Sequence, residues 1–284
     1  MKKILLTGAS GFIGSNILKE LSINNKIYVI VRNKKIKLKS KNIVQINFKT
    51  LKQLNIKLKK IKIDIIIHCA THYIKHHTIN DIQRLCDSNI LFGNIILENI
   101  KNMKVKKFLN FSTVWTDFNG EKNNPYNLYS AYKKSFIDIM NYYKKKEPNV
   151  SFYNIVISDT FGKNDQRNKL INVLKKNYKI NKITNIISKN LYLNLLNVED
   201  IVVAIKLIIE KKLKSGDFIL KNKKNFRIFD IVSKFNKSSS KQLKINWLSN
   251  KKIYFKSLNY SKLNNWFINK SNVSDIIELI KTHN

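Results

Sequence analysis

The chain has 284 residues, 43% of them hydrophobic, and sets 54 lysines and arginines against 18 acids for a formal charge of +36. That length and apolar content allow a large buried core and exclude wholesale disorder. The charge is of the size expected in a nucleic-acid binder. Arginine, however, the residue suited to base edges and bidentate phosphate contacts, stands only at Arg32, Arg84, Arg167 and Arg227, and lysine rises with isoleucine and asparagine along the whole length, as a codon bias produces. Nucleic acid is therefore not the expected main partner.

In chain order, "KKILLTG" reads as a buried strand ending in a glycine turn, and "FIGSNILKELS" as a helix with Ile13, Ile17, Leu18 and Leu21 on one face. "KIYVIVRN", "NIVQINF" and "KIDIIIHCAT" follow as three further strands, "DSNILFGNIILENI" as a helix, and "VKKFLNFST" as a fifth strand. The helix "YSAYKKSFIDIMNYYKK" and a sixth strand, "VSFYNIVISD", complete this half. Strands that are apolar on both faces and alternate with helices predict a parallel sheet covered on both sides. Beyond residue 158 the order loosens: a helix in "RNKLINVLKKN", short strands in "KITNIIS" and "YLNLLNV", and an amphipathic helix in "EDIVVAIKLIIEKK". A strand "GDFIL" and helices in "RIFDIVSKF" and "NVSDIIELIKTH" close the chain, with "NKSSSK" as a polar loop. The expected fold class is α/β, a Rossmann-type doubly wound parallel sheet with a small C-terminal substrate-binding lobe. The expected division is 1–158 for the dinucleotide-binding domain and 159–284 for the lobe, with the helix over 199–212 packing back on the sheet.

Cys69 and Cys86 make no metal-ligand spacing and read as reduced thiols. "KHHT" at 75–78 lacks an acid or cysteine to complete a ligand set, so no metal is expected. The apolar run Ile4 to Leu6 is too short for the roughly 7–15 residue core of a secretion signal. No run of about 18 apolar residues exists to span a membrane. A cytoplasmic protein is expected.

The stretch "TGASGFIG", Thr7 to Gly14, sits directly after the first strand and before the first helix, the context a phosphate-binding turn requires. Gly8 suits the tight turn, Gly11 the close approach of a pyrophosphate, and Gly14 the packing of helix on sheet. The helix N-terminus adds free N–H groups and a positive dipole for the anion. Chains that take NAD usually end the second strand with Asp or Glu, to accept from the ribose 2′-hydroxyl. Here that strand ends Val31, Arg32, Asn33, Lys34, Lys35, a cationic cluster suited to a 2′-phosphate. NADP(H) is therefore favoured as cofactor, with NAD(H) as the alternative.

In "NLYSAYKKSF" only Tyr129 has a lysine four residues on, Lys133; four after Tyr132 comes Phe136. On a helix these two point the same way. A phenol with a pKa near 10 is a poor acid–base group at neutral pH, and a neighbouring ammonium favours the phenolate and brings it into range.

At this point the chain resembles the short-chain dehydrogenase/reductases, in the extended branch that acts on nucleotide sugars. The features run in order: "TGASGFIG", "DIIIHCAT", the helix from Asn89 to the region of Gly93, "FSTVW", "YSAYK", "DTFGKNDQR" and "LNVEDIVVAI", with "LNNWFINKSNVSDIIELI" as a familiar ending. The resemblance implies catalytic roles for Thr113 (Ser112 being the runner-up), Tyr129 and Lys133, with Lys133 also bonded to the nicotinamide ribose. Cofactor contacts are implied for Gly8, Ser10, Gly11, Phe12, Ile13, Gly14, Cys69 and Ala70, beside Arg32 and Asn33. Substrate contacts are implied for Thr71, Thr113, Trp115, Phe118 and Arg167, the last as a partner for a diphosphate. Trp115 and Phe118 could equally fill core, Arg167 could equally pair on the surface, and His68 reads as packed beside the cofactor rather than catalytic.

Several positions depart from the family pattern. After "ST" the chain continues Val114, Trp115, Thr116 rather than Val-Tyr-Gly; the loop to Tyr129 is short; Val156 and Lys163 replace a frequent arginine and proline. These features are similar to the reductases that finish deoxysugar nucleotides. The expectation is an NADP(H)-dependent reductase of a nucleotide-linked 4-keto deoxysugar for surface-polysaccharide precursors, whose partner is a nucleotide-diphosphate sugar. Alternatives are a 4-epimerase with tightly held NAD and a non-catalytic dinucleotide-binding or nucleic-acid-binding relative. A homodimer is a family expectation only.

Overall fold

The computed structural model describes residues 1–32 and 40–282. The chain runs β1 (Lys3–Thr7), α1 (Phe12–Leu21), β2 (Lys26–Arg32), β3 (Ile43–Phe48), α2 (Leu51–Lys59) and β4 (Ile65–His68). Next come α3 (Ile82–Cys86), α4 (Phe92–Glu98), α5 (Ile100–Met103), β5 (Lys107–Thr113), α6 (Leu128–Lys146) and β6 (Ser151–Ile157). The later part holds β7 (Asp159–Phe161), α7 (Leu170–Lys179), β8 (Thr184–Ile186), β9 (Leu191–Leu193), β10 (Leu195–Asn197) and α8 (Val198–Glu210). It continues with β11 (Gly216–Leu220), β12 (Phe226–Arg227), α9 (Ile228–Lys237), β13 (Ile245–Trp247), β14 (Ile253–Tyr254), β15 (Ser261–Lys262) and α10 (Val273–Lys281).

Eight strands form one sheet in the order β15-β11-β6-β5-β4-β1-β2-β3. The pairs β1–β2, β2–β3, β1–β4, β4–β5 and β11–β15 are parallel. Within it the run β3-β2-β1-β4-β5-β6 is the doubly wound dinucleotide order, whose direction reverses between β1 and β4 and opens a crevice at the strand C-termini. The expected Rossmann-type sheet is therefore what the chain builds. Ile65, Ile66 and Ile67 are all buried because helices cover both faces, which is why the strands read as unbroken apolar runs. Each such side chain contributes about 1.5–3 kcal/mol on burial, so a charge at Ile66 would break the sheet at its centre.

The chain forms two compact units. The first comprises Met1–Val156, Ile205–Ile219 and Ser257–Leu263. Its core includes Leu5, Ile66, Phe108, Phe136 and Phe152. The second comprises Ile157–Ala204, Leu220–Lys256 and Asn264–Asn284, with a core around Phe161, Leu174, Ile231, Phe235 and Ile276. In the second unit, buried Asp200 accepts the backbone N–H groups of Asn269 and Lys270 and the hydroxyl of Ser271, a satisfied structural carboxylate. In the first unit Lys107 Nζ donates to the carbonyls of Ile208 and Lys211, each at 2.7 Å, and so caps the end of α8.

Several local features differ from the sequence reading, two of them near the site or its sheet. Helix α2 is absent from it: only Leu51, Leu54 and Leu58 mark its inner face among lysines and asparagines, and Thr50 starts it by accepting from Gln53 N–H at 3.2 Å. The helix expected over 87–100 is interrupted by a π-helical turn over Asp87–Leu91. That turn aims buried Asn89 inward, where its side chain accepts from Thr71 Oγ1 at 2.6 Å and His72 N–H at 3.1 Å and donates to His72 O at 3.0 Å.

Candidate active site

The glycine turn is built from short range outward. Gly8 has φ of +69°, and a Cβ there would stand 2.7 Å from Ala70 N. A Cβ on Gly14 would stand 2.1 Å from the carbonyl oxygen of Gly8. Both positions therefore require glycine: one for its backbone angle and the crossing of β4, the other for the helix to sit on the turn. Gly11 N–H closes the turn on Gly8 O at 2.9 Å and is the N-cap of α1, which carries no side-chain cap and no acid in its first turn. The helix start is thus arranged to receive an anion, and the residues fit a dinucleotide pyrophosphate. Ser10 is exposed beside it, with Phe12 and Ile13 half-buried.

Beneath the turn, Thr7 Oγ1 accepts Ala70 N–H at 3.0 Å and lies 3.0 Å from His68 Nδ1. The His68 ring packs among Phe92, Phe108 and Phe136, with Phe136 at 5.1 Å between centroids. Burial, helped by the charge on Lys133, lowers the imidazole to about 3, so it is neutral. His68 is a buried support of the β1–β4 junction.

Helix α6 begins with a capping box: Asn127 Oδ1 accepts Ser130 N–H, and Ser130 Oγ accepts Asn127 N–H, both at 3.0 Å. This fixes Tyr129 and Lys133 one turn apart in the first two turns. Lys133 is 4% exposed, and burial lowers its ammonium to about 8, an effect that the Cys69 thiol opposes. The same burial pushes the Cys69 thiol up, against the pull of Lys133. The coupling of Lys133 to His68 and Cys69 puts it near the end of β4, where Cys69 and Ala70 border Gly8. Tyr129 is half-buried, and the Tyr73 ring meets it edge-on at 5.0 Å.

Strand β5 ends with buried Ser112 and Thr113. Thr113 Oγ1 accepts Trp115 N–H at 3.3 Å, leaving its own hydrogen to donate to an incoming oxygen. Ser112 Oγ is buried without a hydrogen-bond partner. Trp115 and Phe118, both half-buried, stack at 5.7 Å, and exposed Tyr126 joins both, at 4.6 and 4.8 Å, in an aromatic cluster beside Thr113. Thr71 is exposed and donates to Asn89, and Arg32 is exposed at the end of β2. Asn33 lies outside the described residues, as do Lys34 and Lys35. In the second unit Arg167 pairs with Asp165 at 2.7 Å and donates to Thr160 O and Oγ1. No group of three metal-ligating side chains occurs among the described residues.

The sequence reading missed three participants: Tyr73 against Tyr129, and Asp117 and Tyr260, whose hydroxyl donates to Asp117 at 2.6 Å. The scarcity of acids, 18 in the chain, was the available signal for Asp117. Tyr260 had none.

A glycine turn at the switch point of a doubly wound sheet, with a buried lysine near the end of the neighbouring strand β4, defines a Rossmann-type dinucleotide-binding enzyme. The model of the NAD dependent epimerase/dehydratase family matches residues 4–220, and the chain belongs to this family of short-chain dehydrogenase/reductase-type NAD-dependent enzymes. It is 26% identical over 252 residues to a CDP-abequose synthase of Salmonella muenchen, covering 84% of this chain and 83% of that protein. A CDP-abequose synthase of Yersinia pseudotuberculosis is 27% identical over 209 residues, 73% of each chain. Among solved structures, UDP-glucuronic acid 4-epimerase from Bacillus cereus, in complex with UDP-glucuronic acid and NAD, superposes with a TM-score of 0.79 at 21% identity, covering 98% of this chain and 99% of that one. UDP-N-acetylglucosamine 4-epimerase from Methanobrevibacter ruminantium matches at 0.79 and 18% identity, over 99% and 97%. These two likenesses show the fold. No helix among the described residues is long and apolar enough to cross a membrane.

Proposed function

We propose that the protein is an NADPH-dependent reductase of the 4-keto group of a nucleotide-linked deoxysugar. The observation that carries this reading is exposed Arg32 at the end of β2, where NAD-bound chains of this fold place a carboxylate for the ribose 2′-hydroxyl. A guanidinium there matches a 2′-phosphate and leaves a 2′-hydroxyl without its usual acceptor. A cofactor that arrives reduced and leaves oxidised suits net reduction, and the similarity to CDP-abequose synthases supports a nucleotide-linked deoxysugar as the substrate class.

The turn from Gly8 to Gly14 and the start of α1 hold the pyrophosphate, and Lys133 holds the nicotinamide ribose. When bound, the nicotinamide supplies the hydride. Thr113 donates a hydrogen bond to the keto oxygen and fixes it beside the Tyr129 hydroxyl. Tyr129 gives its proton to that oxygen as the carbonyl becomes a secondary alcohol, and the phenolate left behind regains a proton from solvent. The Lys133 ammonium stabilises that phenolate. The Trp115–Phe118–Tyr126 cluster offers an apolar wall for the deoxygenated carbons of the sugar.

The test is a mass spectrum of the nucleotide released from the purified protein, followed by NADPH oxidation with a nucleotide-linked 4-keto-deoxyhexose. Stoichiometric NADPH consumption, with no NAD retained, is expected. Retained NAD and turnover without added NADPH would establish the epimerase instead.

A further inference from the structure

Asp117 lies four residues beyond Thr113, in the short irregular segment where this chain departs from the family's usual Val-Tyr-Gly. It is 1% exposed, yet it is a carboxylate. Its Oδ1 accepts Asn123 N–H at 2.8 Å and Lys134 Nζ at 3.2 Å. Its Oδ2 accepts the Tyr260 hydroxyl at 2.6 Å and lies 3.0 Å from Thr116 Oγ1. Thr116 Oγ1 also reaches the carbonyl of Thr113 at 2.9 Å. Three donors thus hold the buried carboxylate, and the single Thr116 hydrogen is shared between it and the Thr113 carbonyl.

Those donors come from three places. Thr116 and Asn123 belong to the segment that leaves β5, Lys134 sits on α6 directly after Lys133, and Tyr260 leads into β15, which pairs with β11 at the far edge of the sheet. Tyr260 lies outside residues 4–220, the part matched by the family model. We propose that Asp117 is a positioning residue, tying the β5 end that carries Thr113 to the first turns of α6 through Lys134, with Tyr260 as the brace that holds the carboxylate in place.

The mechanical reason is the adjacency of Lys133 and Lys134. Successive helical residues project about 100° apart, so Lys134 anchored on Asp117 fixes the roll of α6, and the roll decides where Tyr129 and Lys133 point. Catalysis by oriented groups falls steeply with misplacement: about 1 Å can cost roughly 100-fold.

The inference rests on the proposed roles of Thr113, Tyr129 and Lys133, and the experiment separates the two. Asp117→Asn, Tyr260→Phe, Lys134→Met and Tyr129→Phe are compared with Tyr143→Phe, a change on the same helix that removes a hydrogen bond to Glu98. For Asp117→Asn we expect kcat to fall roughly 10- to 100-fold. The alkaline limb of the kcat–pH profile should move up, because Lys133 no longer sits where it favours the phenolate. Tyr260→Phe and Lys134→Met should move both readouts in the same direction by less, and Tyr143→Phe should move neither. If Asp117→Asn does not fold, Tyr260→Phe and Lys134→Met decide. Wild-type kcat and profile in the folded variants, or equal losses in Tyr143→Phe, overturn the positioning role while an inactive Tyr129→Phe leaves the reaction standing. An active Tyr129→Phe overturns the reaction itself.

Discussion

The carbonyl oxygen of Gly8 stands 2.1 Å from where Gly14 would carry a Cβ, so turn and helix touch at a point with no room for one methyl group. Gly14→Ala must push α1 off the turn that it caps. The expected cost is about 1–3 kcal/mol of stability, together with at least a tenfold loss in NADPH affinity. A thermal melt and a fluorescence titration of NADPH would measure the two. Unchanged affinity would mean that the cofactor does not use this turn.

Arg32→Glu tests the cofactor preference. A carboxylate accepts from a ribose 2′-hydroxyl and repels a 2′-phosphate, and a charge-assisted hydrogen bond is worth about 1.5–3 kcal/mol. The ratio of kcat/KM for NADPH over NADH should fall by roughly 10- to 100-fold, mostly through KM for NADPH. A ratio that does not move would place the 2′ position elsewhere.

Lys133→Met should separate stability from activity. Burial lowers the ammonium from 10.5 to about 8, so between these values the unfolded chain binds more protons than the folded one and stability rises with pH. Below that window the folded state bears the cost of the buried charge, an upper bound of about 3 kcal/mol. The variant should therefore melt higher than wild type at pH 7 and lack the rise between pH 8 and 10.5. It should also lose roughly 100-fold or more in turnover. A lower melting temperature at pH 7 would show that the ammonium is better solvated than its surroundings suggest.

His68 predicts acid lability of the sheet. Its folded value, near 3, is depressed below the unfolded 6.5, so the neutral ring contributes stability that is fully present above pH 6.5 and is lost as pH falls from 6.5 toward 3. The upper bound is about 5 kcal/mol. Chemical denaturation of wild type and His68→Asn at pH 7 and pH 4 would compare the two. The variant should lose less stability over that interval, and equal losses would show that protonation of other groups accounts for the acid sensitivity.

Much of this was readable before any fold was known, for a local reason. The turn from Thr7 to Gly14, the doubly wound alternation and the Tyr129–Lys133 pair depend on backbone angles and on a spacing of four along a helix, and both are written in adjacent residues. Helix α2 was illegible because three leucines among lysines and asparagines are a thin signal, and the Asp87–Leu91 turn because a π-turn arises from how neighbouring side chains settle.

Spacing along the chain could say that Tyr129 and Lys133 share a face; it could not say which face is buried. Only tertiary structure set Lys133 near the end of β4 and brought Tyr260 to Asp117 across 143 residues. Such contacts are chosen by desolvation and by the need of every buried charge for partners, and those partners exist only once the sheet has assembled.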